Sequence, residues 1–284
     1  MHEAINQVIN GALFKKKMIE ESVFHYLVRA AMAGIFVGFA IVLCFRVGES
    51  FHAADSPWTL PMSGIFFGLA LILIIYGGAE LFTGNTMFFT VSTLSGATTV
   101  KDLLKNWGLC YLGNLLGAAF FAFLFAQTGI FSGLPADHLL FAVVGHKMDA
   151  PIAALFVRGI LCNWLVCLAI WIPMQMKSDG AKVIAIILIV FTFFASGFEH
   201  SIANLSLFGL ALAAPHPDTI ALSGAVYNLI PVTLGNIVGG GFFVGTLYYY
   251  LAKMAGKTGQ ESDARVRKTT EIPETAAAKK LTAR

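Results

Sequence analysis

The chain has 284 residues, 57% of them hydrophobic and only 12% charged. Soluble globular domains carry about 25% charged residues, so half of a normal water-facing surface is missing and lipid is the solvent for most of this chain. The formal net charge of +3 does not point to nucleic acid, because the basic residues sit at segment ends and in the tail rather than along one stripe.

Three regions follow in chain order. In residues 1–22, Ile5, Val8, Ile9, Ala12 and Leu13 fall at helical spacing ahead of Lys15, Lys16 and Lys17, which predicts a short amphipathic helix lying on the inner leaflet. Residues 23–252 hold six apolar runs, set against the roughly 20 residues that a bilayer span needs. They cover Val23–Phe45, Leu60–Ala79, Trp107–Thr128, Pro151–Met174, Ala181–Gly197 and Ile220–Leu251. The first run follows Glu20 and Glu21 and exceeds a signal-peptide core, so it reads as a span. Residues 253–284 are rich in Lys, Arg, Thr, Ala and Glu and lack aromatic residues, the composition of a disordered, solvated tail. The four cysteines, Cys44, Cys110, Cys162 and Cys167, all lie inside apolar runs. They read as small packing residues rather than as disulfides or metal ligands, and no metal or cofactor is expected.

Two shorter apolar pieces, Thr86–Leu94 and Ile202–Ala213, follow the second and fifth runs across polar interruptions. Both interruptions read G-x-E-x4-N, as Gly78…Glu80…Asn85 and Gly197…Glu199…Asn204, at an offset of 119 residues. A second echo, Gly113-Asn114 in the third run and Gly235-Asn236 in the sixth, has nearly the same offset. Two matched pairs predict a duplicated three-span unit. Lysines gather ahead of the first span and between spans two and three and four and five, while the opposite loops carry only Arg46 and Lys147. Both termini are therefore expected in the cytoplasm. Three is an odd number of crossings, so the two units are inverted, and inverted repeats with broken helices place a site near the bilayer midplane.

A chain break at membrane depth survives only where protein or a wet cavity satisfies its backbone. Each break also exposes the N-terminus of a half-helix, with a partial positive charge of about half a unit. Two such ends aimed at one point attract a small anion. His200, flanked by Glu199 and Ser201 in the second break, is the strongest candidate for function, because imidazole exchanges protons near neutrality. Thr83 offers a hydroxyl in the first break, opposite His200. Glu80 and Glu199 are candidate pathway residues, either as proton relays or, the favoured reading, as acceptors of hydrogen bonds from the amides of their own breaks, and Asn85 and Asn204 are expected to cap the half-helices. Lys147, just before the fourth span, reads as a solvated loop charge. Arg158 faces either the bundle interior or an intersubunit contact.

The stretches Gly78-Ala79-Glu80-Leu81-Phe82-Thr83-Gly84-Asn85, Cys162-Asn163-Trp164-Leu165-Val166-Cys167, Ser196-Gly197-Phe198-Glu199-His200-Ser201 and Pro231-Val232-Thr233-Leu234-Gly235-Asn236 resemble the formate/nitrite transporter family. The resemblance extends over about residues 20–252 and leans toward its nitrite channels. It implies a homopentamer in an inner membrane, with one aquaporin-like pore per protomer. Position by position, His200 resembles the central pore histidine and Thr83 its partner, and Lys147 resembles a lysine that draws anions in. Asn163 and Asn236 resemble polar pathway residues. Leu71 and Phe82 resemble one constriction, and Phe67 and Phe193 another wall. The N-terminal helix resembles a segment that gates the inner mouth.

The expectation is thus an all-α, polytopic membrane protein of six spans in two inverted repeats. It would pass nitrite or formate passively or with a proton, and His200 would protonate the anion. Hydrosulfide is the alternative within the same frame, and a neutral solute such as ammonia, urea or water the alternative outside it. No HExxH or G-x-S-x-G pattern supports an enzyme.

Overall fold

A computed structural model describes residues 2–255 of the chain, and no strand occurs among them. Apart from its first three residues, the expected tail lies outside the described residues. Helix α1 (His2–Glu21) is followed by α2 (Val23–His52) and by a span in two pieces, α3 (Thr59–Gly64) and α4 (Gly68–Tyr76). A break then leads into the half-helix α5 (Phe82–Leu94), and α6 (Val100–Ala126) closes the first unit. The second unit repeats this order with α7 (Leu139–Asp149), α8 (Ile152–Trp171), α9 (Asp179–Ala195), a break, the half-helix α10 (Ser201–Ala213) and α11 (Leu222–Ile237). The last helix continues through a π-helical stretch, Val238–Thr246.

Five helical stretches are long and apolar enough to cross a membrane: Val23–His52, Thr59–Tyr76, Val100–Ala126, Ile152–Gln175 and Leu222–Ala255. The expected fifth span, α9, has only 17 residues, so its crossing depends on α10 beyond the break. Each unit therefore holds two long helices and one broken span. The long pairs pack through glycine. A Cβ on Gly117 of α6 would lie 1.8 Å from the Ala31 carbonyl of α2, and one on Gly235 of α11 would lie 2.2 Å from the Phe156 carbonyl of α8. Backbones this close leave no room for side chains, which is how helices associate where lipid removes the hydrophobic drive.

Four expectations change. Helix α1 does not rest its apolar stripe on lipid: Ile5 and Val8 are buried with Met87, Val91 and Val244, and Lys16 pairs with Asp102 of α6 at 2.9 Å. Beside Asp102, the Lys16 ammonium is held above its ordinary pKa, chiefly by that hydrogen bond. Lys147 lies in helix α7 rather than in a loop. Helix α2 runs past Phe45 to His52 because Glu49 accepts from the Leu139 amide at 2.8 Å, so its last turns brace α7. The sixth span is not one regular α-helix. At Gly240 a Cβ would meet Thr86 Oγ1 at 2.1 Å and Asn163 Nδ2 at 2.5 Å, and the π-helical winding accompanies this close approach to α5 and α8.

Candidate functional site

Each break begins at a glycine in the left-handed region, Gly78 at φ 70° and Gly197 at φ 72°, a conformation that costs residues with a Cβ about 1–2 kcal/mol. The chain then runs extended for a few residues before a half-helix starts. The freed backbone groups are met by matching partners in the two units. The Glu80 amide donates to the Arg29 carbonyl at 3.1 Å, and the Glu199 amide to the Arg158 carbonyl at 3.3 Å. Asn114 Oδ1 accepts from the Phe82 amide at 3.0 Å while its Nδ2 donates to the Ala30 and Glu80 carbonyls, both at 2.8 Å. Asn236 does the same in the second unit. Its Oδ1 accepts from the Ser201 amide at 2.8 Å, and its Nδ2 donates to the Gly159 and Glu199 carbonyls at 2.8 and 2.9 Å. These two asparagines splint the breaks, which answers the demand that backbone at this depth be satisfied.

The carboxylates take a different part from the expected one. Glu80 accepts from Lys15 Nζ at 2.5 Å and from Asn85 Nδ2 at 3.1 Å. Glu199 accepts from Lys147 Nζ at 2.8 Å and from Asn204 Nδ2 at 2.6 Å. Neither is bound by the amides of its own break. Asn85 and Asn204 are not caps but tether the carboxylates from the first turn of each half-helix. The residue that caps α10 is His200, whose Nδ1 accepts from the Ala203 amide at 3.0 Å.

That cap sets the chemistry of the imidazole. With Nδ1 committed as an acceptor, a neutral ring carries its proton on Nε2. Nε2 lies 2.9 Å from Thr83 Oγ1, so the ring donates to the hydroxyl and leaves the hydroxyl proton free to donate onward. Thr83 is in the first turn of α5 and His200 is the N-cap of α10, so this one contact joins the positive ends of both half-helices. The face of the ring stacks on Phe193, with centroids 6.0 Å apart and planes inclined by 16°. Phe193 in turn meets Phe67 edge-on at 5.9 Å.

Three cavities surround this centre. The largest, about 760 Å³, lies on the Lys15 side and reaches Leu71, Ile74, Leu81, Arg29 and Glu80. A small one, about 20 Å³, is walled by Leu71, Leu81, Phe67, Phe193 and His200. The third, about 100 Å³, continues from Phe67, Phe193 and His200 out to Lys147 and Asn204. Shared walls place them in series: Leu71 and Leu81 border the first and second, while the two phenylalanines and His200 border the second and third. The middle chamber holds about one water molecule between apolar rings and a single imidazole.

Several sequence candidates lie elsewhere. Phe82 lines none of the three cavities; its ring meets Tyr111 and Trp107 edge-on at 5.1 and 6.5 Å, and Leu81 borders the small chamber instead. Asn236 is consumed by its splint. Asn163 donates to the Thr83 carbonyl, Thr86 Oγ1 and the Asn236 carbonyl at 3.1, 3.0 and 2.6 Å, and it lines none of these cavities either. Arg158 is exposed and engages the break only through its backbone. Lys15 and Asn114 were legible only as a basic cluster and a repeat echo. Their pairing across 65 and 34 residues with Glu80 had no local signal.

The sequence model of the formate/nitrite transporter family matches residues 2–250. The chain belongs to the formate/nitrite transporter family. Among relatives of this family member, the nitrite transporter NirC of Escherichia coli (strain K12) is 39% identical over 257 residues, covering 90% of this chain and 94% of NirC. A solved structure described as an FNT family ion channel superposes with a TM-score of 0.85 at 37% identity, over 88% of this chain and 99% of that one. A pentameric formate channel with formate bound superposes with a TM-score of 0.69 at 33% identity, over 82% and 98%. Its membership of a transporter family agrees with a site of apolar side chains around one imidazole.

Proposed function

We propose that this formate/nitrite transporter family member conducts a small monovalent anion, nitrite or formate, with an accompanying proton, through a separate path in each protomer of a homopentamer in the inner membrane. Both termini would face the cytoplasm, putting the Lys15-side cavity inside and the Lys147-side cavity outside. The reading is carried by the Thr83–His200 contact between the two half-helix ends, set at a chamber of about 20 Å³. A bare anion in such an apolar constriction costs many kcal/mol, whereas the conjugate acid passes as a neutral molecule. Each mouth carries a lysine held by a buried glutamate, Lys15 by Glu80 and Lys147 by Glu199. The lysines gather anions, and His200, whose ring walls the small chamber while its Nε2–H donates to Thr83, meets them at the centre.

The pentamer and the nitrite or formate substrate are supported by the described relatives, and the lipid contact by apolar side chains such as Phe39, Phe120, Phe123 and Leu234 left exposed on a single protomer. The test is uptake into proteoliposomes of nitrite, formate, hydrosulfide and chloride at two pH values. Nitrite or formate uptake should rise as the pH falls, and His200→Phe should abolish that dependence. A pH profile unchanged by His200→Phe would remove the ring from the proton's route, and urea-driven swelling without nitrite uptake would replace the anion with a neutral solute.

A further inference from the structure

The Lys15-side cavity contains a cation that the paired lysines do not account for. Arg29, on α2, lines this cavity. Its side chain makes no hydrogen bond or ion pair with any of the described residues, and its Nε is buried without a partner. Lys15 is tied to Glu80, Lys147 to Glu199 and Lys182 to Asp179. An arginine left unpaired beside buried surface is costly, because an unmade bond to a charged donor forfeits more than a neutral one. The position is nonetheless built into the fold. The backbone carbonyl of Arg29 holds the Glu80 amide of the first break, and Nη2 lies 2.9 Å from where a Cβ on Gly78 would stand. Gly78 thus serves twice, turning the chain at φ 70° and leaving the guanidinium uncovered at the cavity wall. Four basic residues, Lys15, Arg29, Lys177 and Lys182, line this cavity against two acidic ones, Glu3 and Glu80.

We infer that Arg29 is the holding site for the permeant anion in the Lys15-side vestibule, and that it selects planar anions with two coplanar oxygens, a carboxylate or nitrite, over spherical halide. This inference rests on the anion-channel reading above. The guanidinium presents parallel N–H groups that match two oxygens of one planar anion, a geometry that an ammonium lacks. Turning the free side chain about its stem brings Nε and one Nη to the ligand and gives the unpaired Nε its acceptor. The site would hold the anion beside Leu71 and Leu81, one step before the apolar constriction. The unit-two counterpart, Arg158, is exposed and lines none of the three cavities, so the two mouths are not equivalent and the selecting site belongs to one side.

Two measurements separate this inference from the transport reading. In detergent-solubilised protein, the carbon-13 signal of formate should broaden on binding, and nitrite should compete it away more effectively than chloride. Arg29→Gln should weaken that binding about tenfold or more, the scale of one charge-assisted bond, with Arg29→Lys in between and with nitrite no longer preferred over chloride. Gel filtration and thermal melting confirm that each variant is folded, and Arg29→Lys alone decides the matter if Arg29→Gln does not fold. In proteoliposomes, both variants should raise the half-saturation concentration for nitrite and formate and leave the maximal rate within about twofold. Formate broadening and chloride competition unchanged in the folded variants would overturn the Arg29 site even if uptake proceeds. An absence of uptake by the wild type, with formate still bound through Arg29, would overturn the transport reading and leave the site standing.

Discussion

Asn236 shows how one side chain replaces a stretch of secondary structure. Its amide meets one donor and one acceptor of the second break, and the Gly159 carbonyl of α8, at 2.8–2.9 Å. A leucine of similar size would fill the space and leave both break groups unpaired at membrane depth, where each costs several kcal/mol. Asn236→Leu is therefore expected to abolish a monodisperse folded peak in fluorescence-detected gel filtration, and a normal peak would show that the break is satisfied some other way. The Lys147–Glu199 pair makes a second prediction at this scale. Glu199 is 2% exposed, and removing one partner of a buried pair is destabilising by about 3–5 kcal/mol because the remaining charge is stranded. Lys147→Met should lower the melting temperature sharply, and the double substitution Lys147→Met with Glu199→Gln should recover most of the loss. A double variant no better than the single would mean that the lysine acts through packing rather than charge. The exposed Lys182–Asp179 pair, with Asp179 77% exposed, should show no comparable effect.

At the scale of elements, the glycines divide into two kinds that a sequence does not distinguish. A Cβ on Gly197 would meet nothing within 4 Å, but its φ of 72° lies in the left-handed region. Gly197→Ala should therefore cost only the backbone strain, about 1–2 kcal/mol. Gly117 is an ordinary helical residue whose Cβ would fall 1.8 Å from the Ala31 carbonyl, so Gly117→Ala must push α2 and α6 apart along their length. Melting temperatures of the two variants should differ accordingly, with Gly117→Ala the more damaging by a wide margin. Equal effects would mean that the helix pair can relax. Helix α7 follows the same logic of support from a distance. No run of apolar residues announced it as a span, yet it carries Lys147 to Glu199 because Glu49 and His138 together hold its first turn, at 2.8 Å to the Leu139 amide and 3.1 Å to the Leu140 amide.

For the molecule as a whole, that brace predicts a pH dependence of stability. Burial holds the His138 pKa below its usual value; the nearby charges of Glu49 and Asp137 pull it up, and those of His52 and Arg46 push it down. A histidine depressed in the folded state contributes stability that is complete above its unfolded value near 6.5 and is lost as the pH falls below that value toward the folded one. The melting temperature of the detergent-solubilised protein should fall between about pH 7.5 and about pH 5.5, and His138→Gln should flatten part of that fall. A slope untouched by the substitution would assign it to other groups. The same brace runs from α2 through α7 to Glu199 and the second break.

The class of protein, the two breaks and the presence of Thr83 and His200 within them were legible in the residues alone, because hydropathy, internal repetition and ionisable groups at membrane depth are all local properties of the chain. The sequence did not determine which groups answer one another. Glu80 meets Lys15, Glu199 meets Lys147, and Asn114 and Asn236 meet the breaks across separations of 32 to 77 residues, and such pairings exist only once helices are packed. Nor did it determine which apolar residue lines the small chamber. Leu81 and Phe82 are adjacent, and the turn into α5 sends the phenylalanine ring to Tyr111 and Trp107 and leaves the leucine at the chamber wall. The direction of a side chain at a helix start is set by the dihedral angles of the break, and those are fixed by partners far away in the chain.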